Sequence, residues 1–229
     1  MSRFENPICL ALDVARRDEM IRLVEATAPH VGVFKIGSTA FSGCGPGIVG
    51  EVASVRPVFL DLKLHDIPAQ VEGAVGAARR LGAAYTTVHA SGGVDMIKAA
   101  VAAAGDELAV LGVTVLTSLD DVDLERVGVG GGVRDQVVRL AELALAAGAR
   151  GLVCSPREVA VLRSRFGPEP LLVVPGIRAS GSDHHDQRRA ETPAEAIRAG
   201  ADLLVIGRPV RAAANPAAAA RRLLEELEA

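Results

Sequence analysis

The 229-residue chain has no tryptophan, one tyrosine and five phenylalanines. Nucleic-acid binders grip phosphates with a basic field and, for single strands, stack bases on aromatic rings. A formal charge of −3, from 25 Lys and Arg against 28 Asp and Glu, supplies no such field, so a polynucleotide partner is not expected. Cysteine is also scarce. Cys9, Cys44 and Cys154 are odd in number, widely spaced and set in or near apolar runs, which reads as reduced thiols rather than a disulfide framework. No apolar run approaches the roughly 18 residues of a membrane-spanning helix, and the first residues, MSRFENPICLALD, carry charges where a signal peptide needs an apolar stretch. A cytoplasmic enzyme or binding protein, with no membrane partner, is expected.

Hydrophobic residues make up 49% of the chain, enough to fill a large core. They are arranged as short runs: ICLALD (8–13), VGVFKI (31–36), VFLDL (58–62), YTTVHA (85–90), AVLGVTVLT (109–117), GLVCS (151–155), LLVVPG (171–176) and DLLVIG (202–207). Between them lie helix-like segments at 17–28, 67–82, 93–104, 134–147, 156–166, 192–199 and 215–228, several opened by Pro or a capping Ser, Thr or Asn and closed by Gly. The second unit, around GPGIVGEVAS (45–54), has the weakest pattern. Continuous apolar runs alternating with helices describe parallel strands buried on both faces, and eight repeats fit a closed barrel better than an open sheet. An α/β fold of the (β/α)8 TIM-barrel type is expected, one domain over residues 1–229, because such barrels commonly run to roughly 200–250 residues and no linker divides the chain. The irregular stretches VGVGGGV (127–133) and RASGSDHHDQRR (178–189) each follow an expected strand and read as loops over the barrel mouth.

Barrel enzymes place their chemistry at the carboxyl ends of the strands. Polar groups collect there: Asp13, Lys35, Asp61 with Lys63, His89, Thr117, Ser155, Arg178 and Arg208, in strand order. Side-chain alternation points Asp61 and Lys63 the same way, where Lys35 of the neighbouring strand can join them, with Asp66 in the following loop or first helical turn. Lysines held among carboxylates have the ammonium form favoured, so Lys63 is expected to remain a cation and a proton donor rather than a Schiff-base nucleophile. His184 and His185, between Asp183 and Asp186, are expected to form a solvated loop rather than a metal site, since adjacent side chains in an extended segment diverge. His89 and Ser91 have structural explanations, as a packed histidine and an N-cap, and stay outside the expected machinery.

The motifs DLKLHDIP, VHASGG, VTVLTS, PGIR, DQRR and VIGRP occur in this order. From about Ile8 to the last helix the chain resembles the orotidine monophosphate decarboxylase family of the bacterial type. The Asp-x-Lys-x-x-Asp pattern alone also occurs in related sugar-phosphate decarboxylases and aldolases. The resemblance implies cofactor-free decarboxylation of orotidine 5'-monophosphate to UMP, the final step of de novo pyrimidine synthesis, in a homodimer with shared active sites.

It further implies an alternating network of Lys35, Asp61, Lys63 and Asp66, in which Lys63 protonates C6 and Asp66 serves the site across the dimer interface. Asp13 and Lys35 would hold ribose hydroxyls. Ile67, Thr117 and the Gly-rich segment from Gly128 would lie at the substrate, and Gln187, Gly207 and Arg208 at its phosphate, with Arg178 in the same loop system. The 178–189 loop would act as a phosphate-gripping lid. One departure is Ala69-Gln70, where the family commonly has Asn-Thr with the threonine assisting at the ribose. Two alternatives remain open: a magnesium-dependent keto-sugar-phosphate decarboxylase or aldolase of the same superfamily, and a non-catalytic phosphate-binding barrel. The first needs an acidic metal ligand from a neighbouring strand, and no glutamate stands at such an end.

Overall fold

The computed structural model describes residues 3–177 and 192–228. Eight strands form where the apolar runs lie: β1 (Ile8–Ala11), β2 (Val33–Gly37), β3 (Val58–Leu64), β4 (Tyr85–His89), β5 (Ala109–Val113), β6 (Gly151–Val153), β7 (Leu171–Pro175) and β8 (Leu203–Ile206). All pair in parallel in chain order, and β8 returns to β1 through Ile8↔Leu204 and Leu10↔Ile206, closing the barrel. The (β/α)8 expectation is met. Period-two alternation divides the apolar side chains into two cores. Cys9, Val33, Phe59, Leu111, Val153, Val173 and Leu203 fill the barrel interior. Leu10, Phe34, Leu60, Val110, Leu152 and Leu204 point outward against the helices.

The outer layer comprises α1 (Arg17–Thr27), α2 (Ser38–Cys44), α3 (Gly47–Ala53), α4 (Pro68–Arg80), α5 (Val94–Ala104), α6 (Asp121–Arg126), α7 (Gly132–Ala146), α8 (Val159–Phe166), α9 (Pro193–Ala199), α10 (Arg208–Arg211) and α11 (Pro216–Glu228). Proline opens α4 and α9 at the first turn, where its missing N–H costs no helical bond. Thr192 caps α9 in a reciprocal box with Glu195. On the outward face of β5, a Cβ at Gly112 would sit 2.6 Å from that of Ala144, so only glycine lets α7 lie this close to the sheet. Several elements differ from expectation. The weak second unit holds both α2 and α3, and β5 ends at Val113 rather than 117. The additional helix α6, before the glycine run, is capped by Asp120 with Asp123. Gly132 and Val133, expected in a loop, open α7. Among the described residues no helix is long and apolar enough to cross a membrane.

The amino ends of the strands are tied by Arg163 and Asp202. The guanidinium of Arg163 meets Asp202 Oδ2 at 2.7 Å and donates to the carbonyls of Gly167, Pro170 and Gly200. Asp202 also accepts from the Leu172 amide at 2.8 Å. Removing one partner of such a pair leaves a poorly solvated charge, which costs about 3–5 kcal/mol. Arg163→Ala is expected near the lower end, about 3 kcal/mol, because a fifth of the Arg163 side chain still meets solvent. Urea unfolding at unchanged m-value checks this; a midpoint equal to that of the parent protein contradicts it.

Candidate active site

At the carboxyl ends of β1, β2 and β3 four charged side chains form a continuous chain. Lys35 lies on β2 with the inward parity of Val33, and Asp61 on β3 with that of Phe59. Asp61 Oδ2 meets Lys63 Nζ at 2.7 Å and Lys35 Nζ at 3.5 Å, while Lys35 Nζ reaches Asp13 Oδ1 at 3.3 Å. Asp13 stands just past β1. The side chains of Lys35 and Asp61 are 11% and 9% exposed, against 35% for Lys63 and 44% for Asp13. Lys63 and Asp13 therefore offer their polar ends to a ligand, and the buried pair behind them sets their positions. Burial works against the ammonium of Lys35, but the carboxylates of Asp61 and Asp13 outweigh it and raise its pKa above the ordinary lysine value. Lys35 is a cation throughout the neutral range. Gly37, two residues further along β2, leaves room for this charge: a Cβ there would lie 3.0 Å from Lys35 Nζ and 3.3 Å from Asp13 Oδ1.

Simple alternation does not deliver Lys63 to this chain. The β3–β4 register passes from Leu60↔Thr86 to Leu64↔Val88, so four residue steps on β3 oppose two on β4. Inside this bulge Lys63 has φ 51°, and it is the one non-glycine residue with positive φ among the described residues. The left-handed region costs an ordinary side chain about 1–2 kcal/mol. Local contacts offset that cost. The Lys63 amide donates to Thr87 Oγ1 at 2.9 Å, and the Thr87 hydroxyl, fully buried on β4, donates to Asp61 Oδ1 at 3.0 Å. Thr87 was not singled out from sequence, although its inward parity with His89, one strand from Asp61, was a usable signal.

The other expected site residues are placed less uniformly. Asp66 is exposed before α4 and accepts the Ile67 amide at 2.7 Å; among the described residues its carboxylate makes no ion pair with the chain of four. Ile67 is 63% exposed. Thr117 does not end a strand: it lies in an exposed turn closed by the Leu119 amide on the Leu116 carbonyl at 3.0 Å. The last register pair of β5 with β6 is Val113↔Val153, and just past it the Thr114 amide and hydroxyl both donate to the Val153 carbonyl, at 3.3 and 3.2 Å. Gly207 follows β8 beside Asp13, where an added Cβ would lie 4.0 Å from Asp13 Oδ2, and Arg208 opens α10. Arg178, Gln187, His184 and His185 lie outside the described residues.

Ser155 forms a capping box with Glu158, whose carboxylate accepts the Ser155 amide at 2.8 Å, as befits a helix-start residue. The His89 ring lies 5.5 Å from that of His65. Burial first, then His65 and Lys63, lower the pKa of His89, so it is neutral at pH 7. Among the described residues no three His, Cys, Asp or Glu side chains group as a metal site. The three cysteines are free, and burial pushes the Cys9 and Cys154 thiols far up, which leaves both as inert packing groups.

Comparison with known proteins identifies the family. Residues 6–223 match the Orotidine 5'-phosphate decarboxylase / HUMPS family. The chain is 55% identical to an orotidine 5'-phosphate decarboxylase from Anaeromyxobacter sp. (strain K), covering 94% of this chain and 96% of the relative. It is 50% identical to one from Thermobifida fusca, covering 97% and 96% respectively. The crystal structure of orotidine 5'-phosphate decarboxylase from Lactobacillus acidophilus superposes with a TM-score of 0.86 at 33% identity, over 98% of this chain and all of that one. With a family match over nearly its whole length and relatives at half identity or more, the chain belongs to the orotidine 5'-phosphate decarboxylase / HUMPS family.

Proposed function

We propose that the chain decarboxylates orotidine 5'-monophosphate to UMP at the barrel mouth, and that Lys63 protonates C6 as carbon dioxide leaves. The observation that carries this reading is the Asp13–Lys35–Asp61–Lys63 chain, in which one ammonium is held by a buried carboxylate yet remains open to a ligand. Loss of carbon dioxide from C6 leaves an electron pair in a vinyl-type orbital with no adjacent carbonyl to delocalise it. Fixed charge must stabilise that pair, and a preorganised cation does so without reorganising during the reaction. One ammonium about 4 Å from a full negative charge contributes on the order of 4 kcal/mol at an effective dielectric near 20, whereas enzymes lower barriers by roughly 8–23 kcal/mol.

Lys63 therefore acts with help. Binding energy from groups that do not react, above all the phosphate, organises the charges around the reacting carbon. Gly207 and Arg208, beside the last strand, take the phosphate, where barrels commonly bind one. Asp13 and Lys35 take the ribose hydroxyls. The buried free thiols fit a reducing cytoplasm.

The site is completed by a second copy of the chain. Asp66 is the one acidic residue of the Asp-x-Lys-x-x-Asp pattern that stays outside the charged chain, and the apolar Ile67 next to it stands exposed. Both are accounted for if this edge of the barrel meets its partner, with Asp66 crossing to the neighbouring Lys63.

Ultraviolet absorbance of orotidine 5'-monophosphate with purified protein tests the activity, and turnover is expected to be unchanged by a chelator. Activity lost on chelation and restored by magnesium would support the keto-sugar-phosphate type of chemistry instead. Mixing equal amounts of inactive Asp66→Asn and Lys63→Ala proteins is expected to restore about a quarter of the parent sites, the fraction in which an intact Lys63 meets an intact Asp66 at random exchange. Verified subunit exchange with no recovered turnover would exclude sharing.

A further inference from the structure

We propose that Thr87 is a positioning residue for the proton-donating ammonium, acting through one hydroxyl that grips Lys63 at its backbone and Asp61 at its carboxylate. This rests on the decarboxylase reading of the site and adds a residue that the sequence pattern does not mark. Three hydrogen bonds and one side chain make a closed ring. The Lys63 amide donates to Thr87 Oγ1 at 2.9 Å, the Thr87 hydroxyl donates to Asp61 Oδ1 at 3.0 Å, and Asp61 Oδ2 accepts Lys63 Nζ at 2.7 Å. The fourth link is the Lys63 side chain itself, which joins its own amide to its own ammonium.

The ring answers a problem that the bulge creates. Between Leu60 and Leu64 the ladder to β4 is interrupted, and a strand amide there loses its carbonyl partner. A hydroxyl suits the place because it accepts and donates at once, whereas a backbone carbonyl only accepts and a methyl does neither. By accepting the Lys63 amide, Thr87 fixes the backbone in the left-handed conformation that aims the side chain into the mouth. By donating to Oδ1, it turns the Asp61 carboxylate so that Oδ2 faces the ammonium. Thr87 is fully buried and reaches the ligand only through these two residues.

The experiment compares Thr87→Val, which keeps the shape and removes the hydroxyl, with Thr87→Ser, which keeps the hydroxyl and removes the methyl. A misplacement of about 1 Å at a reacting group costs on the order of 10²-fold in rate. Thr87→Val is therefore expected to lose about 10²-fold in kcat with KM little changed, while Thr87→Ser stays within a few-fold of the parent. A general loss of stability would not produce that split or that rescue. Hydrogen exchange of the parent protein adds a readout that needs no variant: the Lys63 amide is expected to be protected despite the interrupted ladder.

A folded Thr87→Val with parental kcat, a Thr87→Ser as impaired as Thr87→Val, or an unprotected Lys63 amide would overturn the proposal. If Thr87→Val fails to fold, the serine variant and the exchange rate decide. A parent protein that does not turn over orotidine 5'-monophosphate overturns the decarboxylase reading and the proposal with it. Parental turnover together with any of the three contrary results overturns the proposal alone.

Discussion

Lys63→Ala is expected to lower kcat/KM for orotidine 5'-monophosphate by on the order of 10⁵-fold, with the protein folded and still able to bind UMP. Two losses combine. A positioned proton donor is worth about 10²–10⁴ in rate, and about 4 kcal/mol of charge stabilisation corresponds to roughly 10³. They belong to one group and do not multiply fully, which sets the estimate at the lower end of their product. The structure supports an effect confined to chemistry, because the Lys63 side chain is 35% exposed and its removal opens no cavity in either core. The expected signature is loss of turnover in the ultraviolet assay at substrate saturation, with UMP affinity measured separately by calorimetry. A loss of less than about tenfold would remove Lys63 from the centre of the mechanism.

Asp61→Asn is expected to have the second largest effect, on the order of 10³-fold in kcat/KM, from the loss of a single charge. Among the described residues Asp61 is the one carboxylate that meets both lysines, at 2.7 Å and 3.5 Å. An asparagine there keeps the oxygen that faces Thr87 but gives the two ammonium groups no anion between them, so they repel each other and Lys63 leaves its post. A contribution of about 4 kcal/mol for a close pair at intermediate dielectric sets the scale.

The same variant carries a pH signature through Lys35, whose pKa is raised in the folded protein by Asp61 and Asp13 against its burial. A group with a raised folded pKa contributes stability that is complete below its unfolded value, about 10.4, and is lost as pH rises through the folded value. Without the Asp61 charge the folded value falls, so alkaline unfolding of Asp61→Asn begins at lower pH than in the parent. Equal alkaline midpoints would mean that Asp61 does not hold Lys35.

The barrel was legible because its strands are buried on both faces and so appear as uninterrupted apolar runs. Their carboxyl ends were legible wherever a charge terminates the run, as Asp13 and Asp61 do. Alternation failed at Lys63. Period two assumes an even ladder, and nothing in the letters DLKL announces the bulge or the positive φ that re-aims the lysine. The apolar run 109–117 overstated β5 because Val115 remains buried at the rim, 6% exposed, after pairing has stopped. The capping pair Asp120 and Asp123 was present in the sequence and marks α6, a helix that none of the expected segments covered. Asp66 is a different kind of gap. Its position in one chain leaves it outside the charged chain, and the task proposed for it depends on contact with a second copy, which no pattern within one sequence displays.

The polar ends of the barrel are held apart by an apolar plug, with the Arg163–Asp202 brace at the floor and the Lys–Asp chain at the rim. Substitutions at sites that share no partners add nearly independently. An engineer can therefore harden the floor against heat, by new braces or tighter loops around 167–170 and 200–202, and leave the turnover rate at the rim as it was.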